Sequence, residues 1–161
     1  SAASDVYKRQ EARTSAKLLS IVGISQAIMF GVLHYFILYA SFQQAIVNGS
    51  KATIDIAKVS CILCGIMLIV LGNYMTKSKK NAVIGLRTSW SIFNDNTWRK
   101  SNRFGAICII IAGGLTVVTS AFANGIISTI FLLLYIIVAS VLAVIYSKKV
   151  YDNERKKEQN I

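Results

Sequence analysis

The sequence predicts an all-α, polytopic membrane protein: a bundle of four transmembrane helices. Three observations predict it. The mean hydropathy is +0.53, with 54% hydrophobic residues in 161. The apolar residues gather in four long blocks rather than alternating with charges, and Lys58 is the only Lys, Arg, Asp or Glu inside any block. Each block is close to the ~20 residues that cross a ~30 Å hydrocarbon layer at ~1.5 Å per residue. Backbone amides cannot stay unpaired in lipid, so the blocks are helices or strands of a closed barrel, and continuous apolarity without alternation excludes the barrel. Three cysteines are too few for a secreted disulfide scaffold, and the chain is too apolar for disorder. The formal net charge of +11 points to anionic lipid rather than nucleic acid, because the charges flank the blocks as topology requires.

Taken in order, residues 1–10 (SAASDVYKRQ) read as a translated cloning or sequencing scar joined to a truncated reading frame, and are set aside. Residues 11–147 form the membrane domain, with spans at 18–42, 56–75, 104–122 and 126–146 and a loop at 76–103; a charged tail follows at 148–161. The N-terminal flank, the middle loop and the tail hold nearly all the basic residues, whereas the connection between the first two spans has only Lys51 and Lys58. Lys and Arg are retained inside, which puts both termini and the middle loop in the bacterial cytoplasm. Asn124-Gly125 is a turn signal able to take positive φ, so the last two spans are expected as a tight hairpin. The tail is expected to continue as a frayed helix or hang free.

The middle loop carries an ordered set: Asn73, Asn81, Gly85, Arg87-Thr88, Trp90-Ser91, a polar run Asn94-Asp95-Asn96, then Trp98, Asn102-Arg103 and Gly105. Loops of this length are uncommon without a function. Asn94 or Asp95 can cap a helix that runs through Trp98 and Arg103 into the third span. On that helix Trp98, Asn102 and Gly105 share one face, with Arg99 and Arg103 on a neighbouring stripe. Gly85 permits a backbone turn, and Arg87 suits a phosphate, a carboxylate or helix C-terminal carbonyls, so the loop is expected to fold against the ends of the spans. Trp90, Phe93, Trp98 and Phe104 are expected at headgroup depth. A positive-inside loop with an aromatic belt accounts for the charges and tryptophans, but not for the Asn81, Gly85, Arg87, Thr88 spacing.

These residues resemble the signature of the SdpI family of bacterial membrane proteins. Its pattern reads approximately G-N-Y, K-x-N-x-x-x-G-x-R-T-P-W-T, a short polar turn, W-x-x-x-x-R and a Gly opening the next span. The matching positions are Gly72-Asn73-Tyr74, Lys79, Asn81, Gly85, Arg87, Thr88, Trp90, Ser91, Trp98, Arg103 and Gly105. Ser89 stands where the family usually has Pro, which loosens a turn, and Asn102 where it often has His, which removes a titratable group. The resemblance implies an immunity and signalling protein that protects the producing cell against a secreted, membrane-active peptide toxin. It also implies a cytoplasmic winged-helix repressor as a second partner. The alternative is a small permease or channel subunit, which four spans could form only as a homo-oligomer.

Other candidates are weaker. His34 and Gln26 lie on about the same face of the first span, and an intramembrane ionisable group is a functional candidate by default; no carboxylate completes a proton relay, so hydrogen bonding to a neighbouring helix is the stronger reading. Cys61 and Cys64 form C-x-x-C inside a span, where buried small apolar residues are a better reading than zinc or redox chemistry. Thr116, Thr119 and Ser120 form a hydroxyl stripe expected to bond across helices or to their own backbone. There is no catalytic triad, paired carboxylate or phosphate loop, so the sequence points away from an enzyme and calls for no cofactor or metal.

Overall fold

The computed structural model describes residues 2–46, 54–76 and 85–159. They form four helices in chain order: α1 (Ala2–Ile46), α2 (Ile56–Met75), α3 (Asp95–Phe122) and α4 (Gly125–Gln159), each long and apolar enough to cross a membrane. No strand occurs among the described residues. The protein is therefore an all-α, multi-pass membrane protein. Its exterior is rich in large apolar side chains such as Phe30, Leu133 and Ile145, as it must be when the solvent is hydrocarbon.

α3 lies at the centre, packed on both α2 and α4; α2 also touches α4, and α1 meets α2 alone. Small residues set this arrangement. Lipid supplies no hydrophobic drive between helices, so they associate where backbones approach closely. A Cβ on Gly65 would stand 2.8 Å from the Gly113 carbonyl oxygen, and one on Gly72 would stand 2.9 Å from that of Ala106. The α3 surface that meets its neighbours is correspondingly lean: Ala106, Ala112, Thr116 and Ser120 are buried, opposite Ala139, Ala143 and Ser147 of α4.

The two threonines of the hydroxyl stripe do what its spacing predicts, whereas Ser120 Oγ is buried without a hydrogen-bond partner among the described residues. Thr116 donates to the Ala112 carbonyl at 2.8 Å, and Thr119 to that of Leu115 at 2.7 Å while lying 3.1 Å from the Tyr135 hydroxyl.

The hairpin between α3 and α4 is tight, as expected, with two residues between the helices, but Gly125 does not supply the positive φ its turn signal allowed. Among the described residues the glycine with positive φ is Gly85, not Gly125. Gly125 instead begins α4, and Asn124 caps that helix by accepting from the Ile127 amide at 3.0 Å. The reason is Asp55, which the sequence reading passed over. Its carboxylate caps α2 through the Lys58 amide at 3.1 Å and also accepts the Gly125 amide at 2.7 Å. Lys58 returns the contact by donating its ammonium to the Ala121 carbonyl at 2.9 Å. The Lys58 amide first, and the Gly125 amide second, hold the Asp55 carboxyl below its ordinary pKa.

At the opposite end both helices outrun their apolar spans. α3 starts at Asp95, nine residues before the predicted span, and α4 continues to Gln159 rather than ending in a free tail. These extensions stand side by side and position the motif.

Candidate functional site

The described part of the motif, residues 85–94, is a compact turn fastened to both extensions. It begins at Gly85, whose φ of 137° is accessible almost only to glycine. A Cβ there would also collide with Asn102 Oδ1 and press on the Trp98 ring. The absence of that Cβ lets the next amide, of Leu86, donate to Asn102 Oδ1 at 2.6 Å, while Asn102 Nδ2 donates to the Trp98 carbonyl at 3.0 Å. Asn102 is 2% exposed. Its amide is thus paired on both sides, as burial requires.

Ser91 and Thr88 close the turn reciprocally. The Ser91 amide donates to Thr88 Oγ1 at 3.1 Å and the Thr88 amide donates to Ser91 Oγ at 3.0 Å. Ser91 Oγ in turn donates to the Leu86 carbonyl at 2.6 Å. Thr88 Oγ1 also lies 3.0 Å from Ser147 Oγ on α4, which joins the turn to the last helix. Asn94 then caps α3: Thr97 N donates to Asn94 Oδ1 at 2.7 Å and Asn94 N donates to Thr97 Oγ1 at 3.0 Å, a capping box with Thr in the third position. Asp95 sits in the first turn, where the helix dipole favours an anion.

Charge and aromatic pairs frame this core. Phe104 stacks on Tyr146 at 4.1 Å between ring centroids, Phe93 meets Tyr151 edge-on at 4.9 Å, and the Lys148 ammonium lies 5.8 Å from the Trp90 ring centroid. Glu154 of α4 accepts from Lys100 of α3 at 3.1 Å and lies 3.5 Å from Lys157. A hydrogen bond from the Asn96 side chain, and then that from Lys100, hold its carboxyl below the ordinary value.

The structure therefore brings together Gly85, Thr88, Trp90, Trp98, Asn102 and Gly105, the last packed against Met75 and Ala143. Arg87 and Arg103 are exposed beside this group. Trp98 corrects an expectation: it is 2% exposed and lies beneath Gly85, inside protein rather than among headgroups. The Gly85 turn covers its ring, a tertiary contact that an aromatic-belt argument does not anticipate. Asn73 is exposed in the last turn of α2, where its carbonyl accepts from Thr76 Oγ1 at 2.7 Å. Asn81 lies outside the described residues.

The two polar residues of the first span stand apart from this site. His34 is exposed on α1 and Gln26 is half-buried. Cys61 is buried, its sulfur 3.5 Å from Thr129 Oγ1, and Cys64 and Cys108 are half-buried thiols. Among the described residues no three His, Cys, Asp or Glu side chains gather as a metal ion would need. Sequence reasoning missed Thr97, Ser101 and Ser147, all fully buried at this end. The N-x-x-T spacing of Asn94 and Thr97 could have revealed the first; the other two depend on helix packing and leave no local signal.

Comparison with known proteins finds a family match that takes in this end of the molecule. The chain is 32% identical over 88 residues to the Immunity protein SdpI of Bacillus subtilis (strain 168), covering 53% of this chain and 42% of that protein. It thus spans less than half the length of the curated relative it matches. No solved structure matches. The family model matches residues 77–147, which include the Gly85 turn, all of α3 and the apolar length of α4. Over that segment the chain is similar to the SdpI/YfhL protein family.

Proposed function

We propose that this chain is an SdpI-like immunity protein, protecting the cell that carries it against a membrane-active peptide toxin. The observation that supports this most is that the family match includes the part folded with the most specific geometry. A turn held by Asn102, Ser91 and Ser147 is more than topology requires of a basic loop. The basic loop end and both termini face the cytoplasm, because Lys and Arg are retained there. In this reading the toxin meets the lipid-facing surface of the spans, and the Gly85 turn with Arg87, Arg99 and Arg103 carries the cytoplasmic readout, including capture of a winged-helix repressor. Such signalling requires toxin to bind two arrangements of the bundle unequally. Survival of toxin-challenged cells with and without the protein tests the proposal. Equal killing would refute protection, and solute flux through vesicles carrying the protein would then favour a permease subunit.

A further inference from the structure

The extensions of α3 and α4 border an open cavity of about 470 Å³ with four lysines on its wall: Lys100 from α3 and Lys149, Lys156 and Lys157 from α4. The cavity differs from an ordinary basic flank in two ways. The first is its floor, formed by Tyr146 and Val150. Val150 is 6% exposed, and Tyr146 is fixed in its stack on Phe104. The second is the distribution of charge. Glu154 is the cavity's only acid, and Lys100 and Lys157 both converge on its Oε1. That contact holds the two ammonium groups over the cavity, while Lys149 and Lys156 have no carboxylate partner among the described residues.

Two unpaired ammonium groups above an apolar floor, next to two that are held in position, form a receptor for a phosphate attached to something greasy. Depth identifies the source. Tyr146 ends the apolar span, and Lys149 follows by about 4.5 Å at ~1.5 Å per residue. The headgroup layer is some ~5–7 Å thick on each side of the hydrocarbon, so Lys149 stands at phosphate level with Tyr146 directly below it. Tyr151, against Phe93, marks the same interfacial band. Lys156 lies farther out, within reach of a headgroup larger than a bare phosphate. We propose that this cavity binds the headgroup of an acidic phospholipid from the adjoining leaflet. The phosphate rests on Lys149 and Lys100, the outer lysines take the remainder of the headgroup, and an acyl chain runs down past Tyr146. Basic pockets between transmembrane helices suit such headgroups, each ammonium adding to the attraction.

The test uses the full-length protein in a neutral detergent and follows its thermal unfolding midpoint during titration with dihexanoylphosphatidylglycerol. Dihexanoylphosphatidylcholine and sn-glycerol 1-phosphate are titrated in parallel. The acidic lipid is expected to raise the midpoint saturably, since a ligand of the folded state stabilises it by mass action, and the other two are expected not to. K149Q/K156Q is expected to shift the half-saturating concentration upward by roughly an order of magnitude or more. K149R/K156R should titrate like the wild type, as should the charge-matched R13Q/K17Q on α1. An equal response to phosphatidylcholine, or a K149Q/K156Q titration matching that of R13Q/K17Q, would overturn the site. A full response to glycerol phosphate alone would overturn the lipid as its source.

Discussion

Asn102 accepts the Leu86 amide at 2.6 Å across sixteen residues of chain, and this bond fixes where the motif turn sits on α3. The same side chain donates to the Trp98 carbonyl, so one buried amide joins a turn, a helix and the covering of a tryptophan. Replacing Asn102 with Ala leaves the Leu86 amide without its partner. Thermal or denaturant unfolding in detergent should show a loss of about 1–3 kcal/mol, the usual cost of an orphaned buried donor.

Gly85 and Gly114 make a matched pair of opposite sign. Gly85→Ala places a Cβ against Asn102 Oδ1 and Trp98 at a φ of 137°, and should cost about 1–3 kcal/mol. A Cβ on Gly114 meets nothing within 4 Å, so Gly114→Ala should gain about 0.5–1 kcal/mol from helix propensity. Unfolding midpoints that moved in the same direction would contradict the turn geometry.

Acid should loosen the Asp55 link between α2 and the α3–α4 hairpin. Backbone amides lower the carboxyl's pKa in the folded protein, so its stabilisation is fully present above the unfolded value of ~3.9 and disappears as pH falls through the folded value. Wild type should lose stability in that acid window. Asp55→Asn, which keeps a capping oxygen but cannot titrate there, should lose less between pH 6 and pH 3 when unfolding midpoints are compared.

Arg87 is exposed at the edge of the turn, and the readout role assigned to it separates abundance from activity. Arg87→Ala should leave the amount of protein in membranes nearly unchanged while lowering survival under toxin challenge. Immunoblotting beside a survival assay checks this, and unchanged survival would remove Arg87 from the mechanism.

Orientation is tested by labelling single cysteines after Cys61, Cys64 and Cys108 are replaced by Ala. A membrane-impermeant maleimide should reach Ser50→Cys in intact cells, and should reach Asp152→Cys only after permeabilisation. The reverse pattern would invert the topology.

Much of the fold was legible because lipid imposes few options. Blocks of apolar residues had to be helices, and the α2 bounds at 56 and 75 fell where apolarity began and ended. The Asn94 cap and the shared face of Trp98, Asn102 and Gly105 were also legible, because capping chemistry and helical period are local. What lay hidden was tertiary. Nothing around Ser147 says that it meets Thr88, since that contact depends on the register of α4 against α3. Asp55 looked like one more loop acid until the Gly125 amide stood 2.7 Å from it. Trp98 was misplaced because its cover, the Gly85 turn, arrives from outside the helix.

The contact between Thr88 and Ser147 makes the turn a gauge of helix position. Sliding α4 by a single residue would carry Ser147 about 1.5 Å along its axis, half the 3.0 Å separation now bridged by the two hydroxyls. The Asn102 bond belongs to α3 and would not travel with it. A displacement of one helix within the bilayer would thus be felt at the surface by one anchor, Ser147, and not by the other.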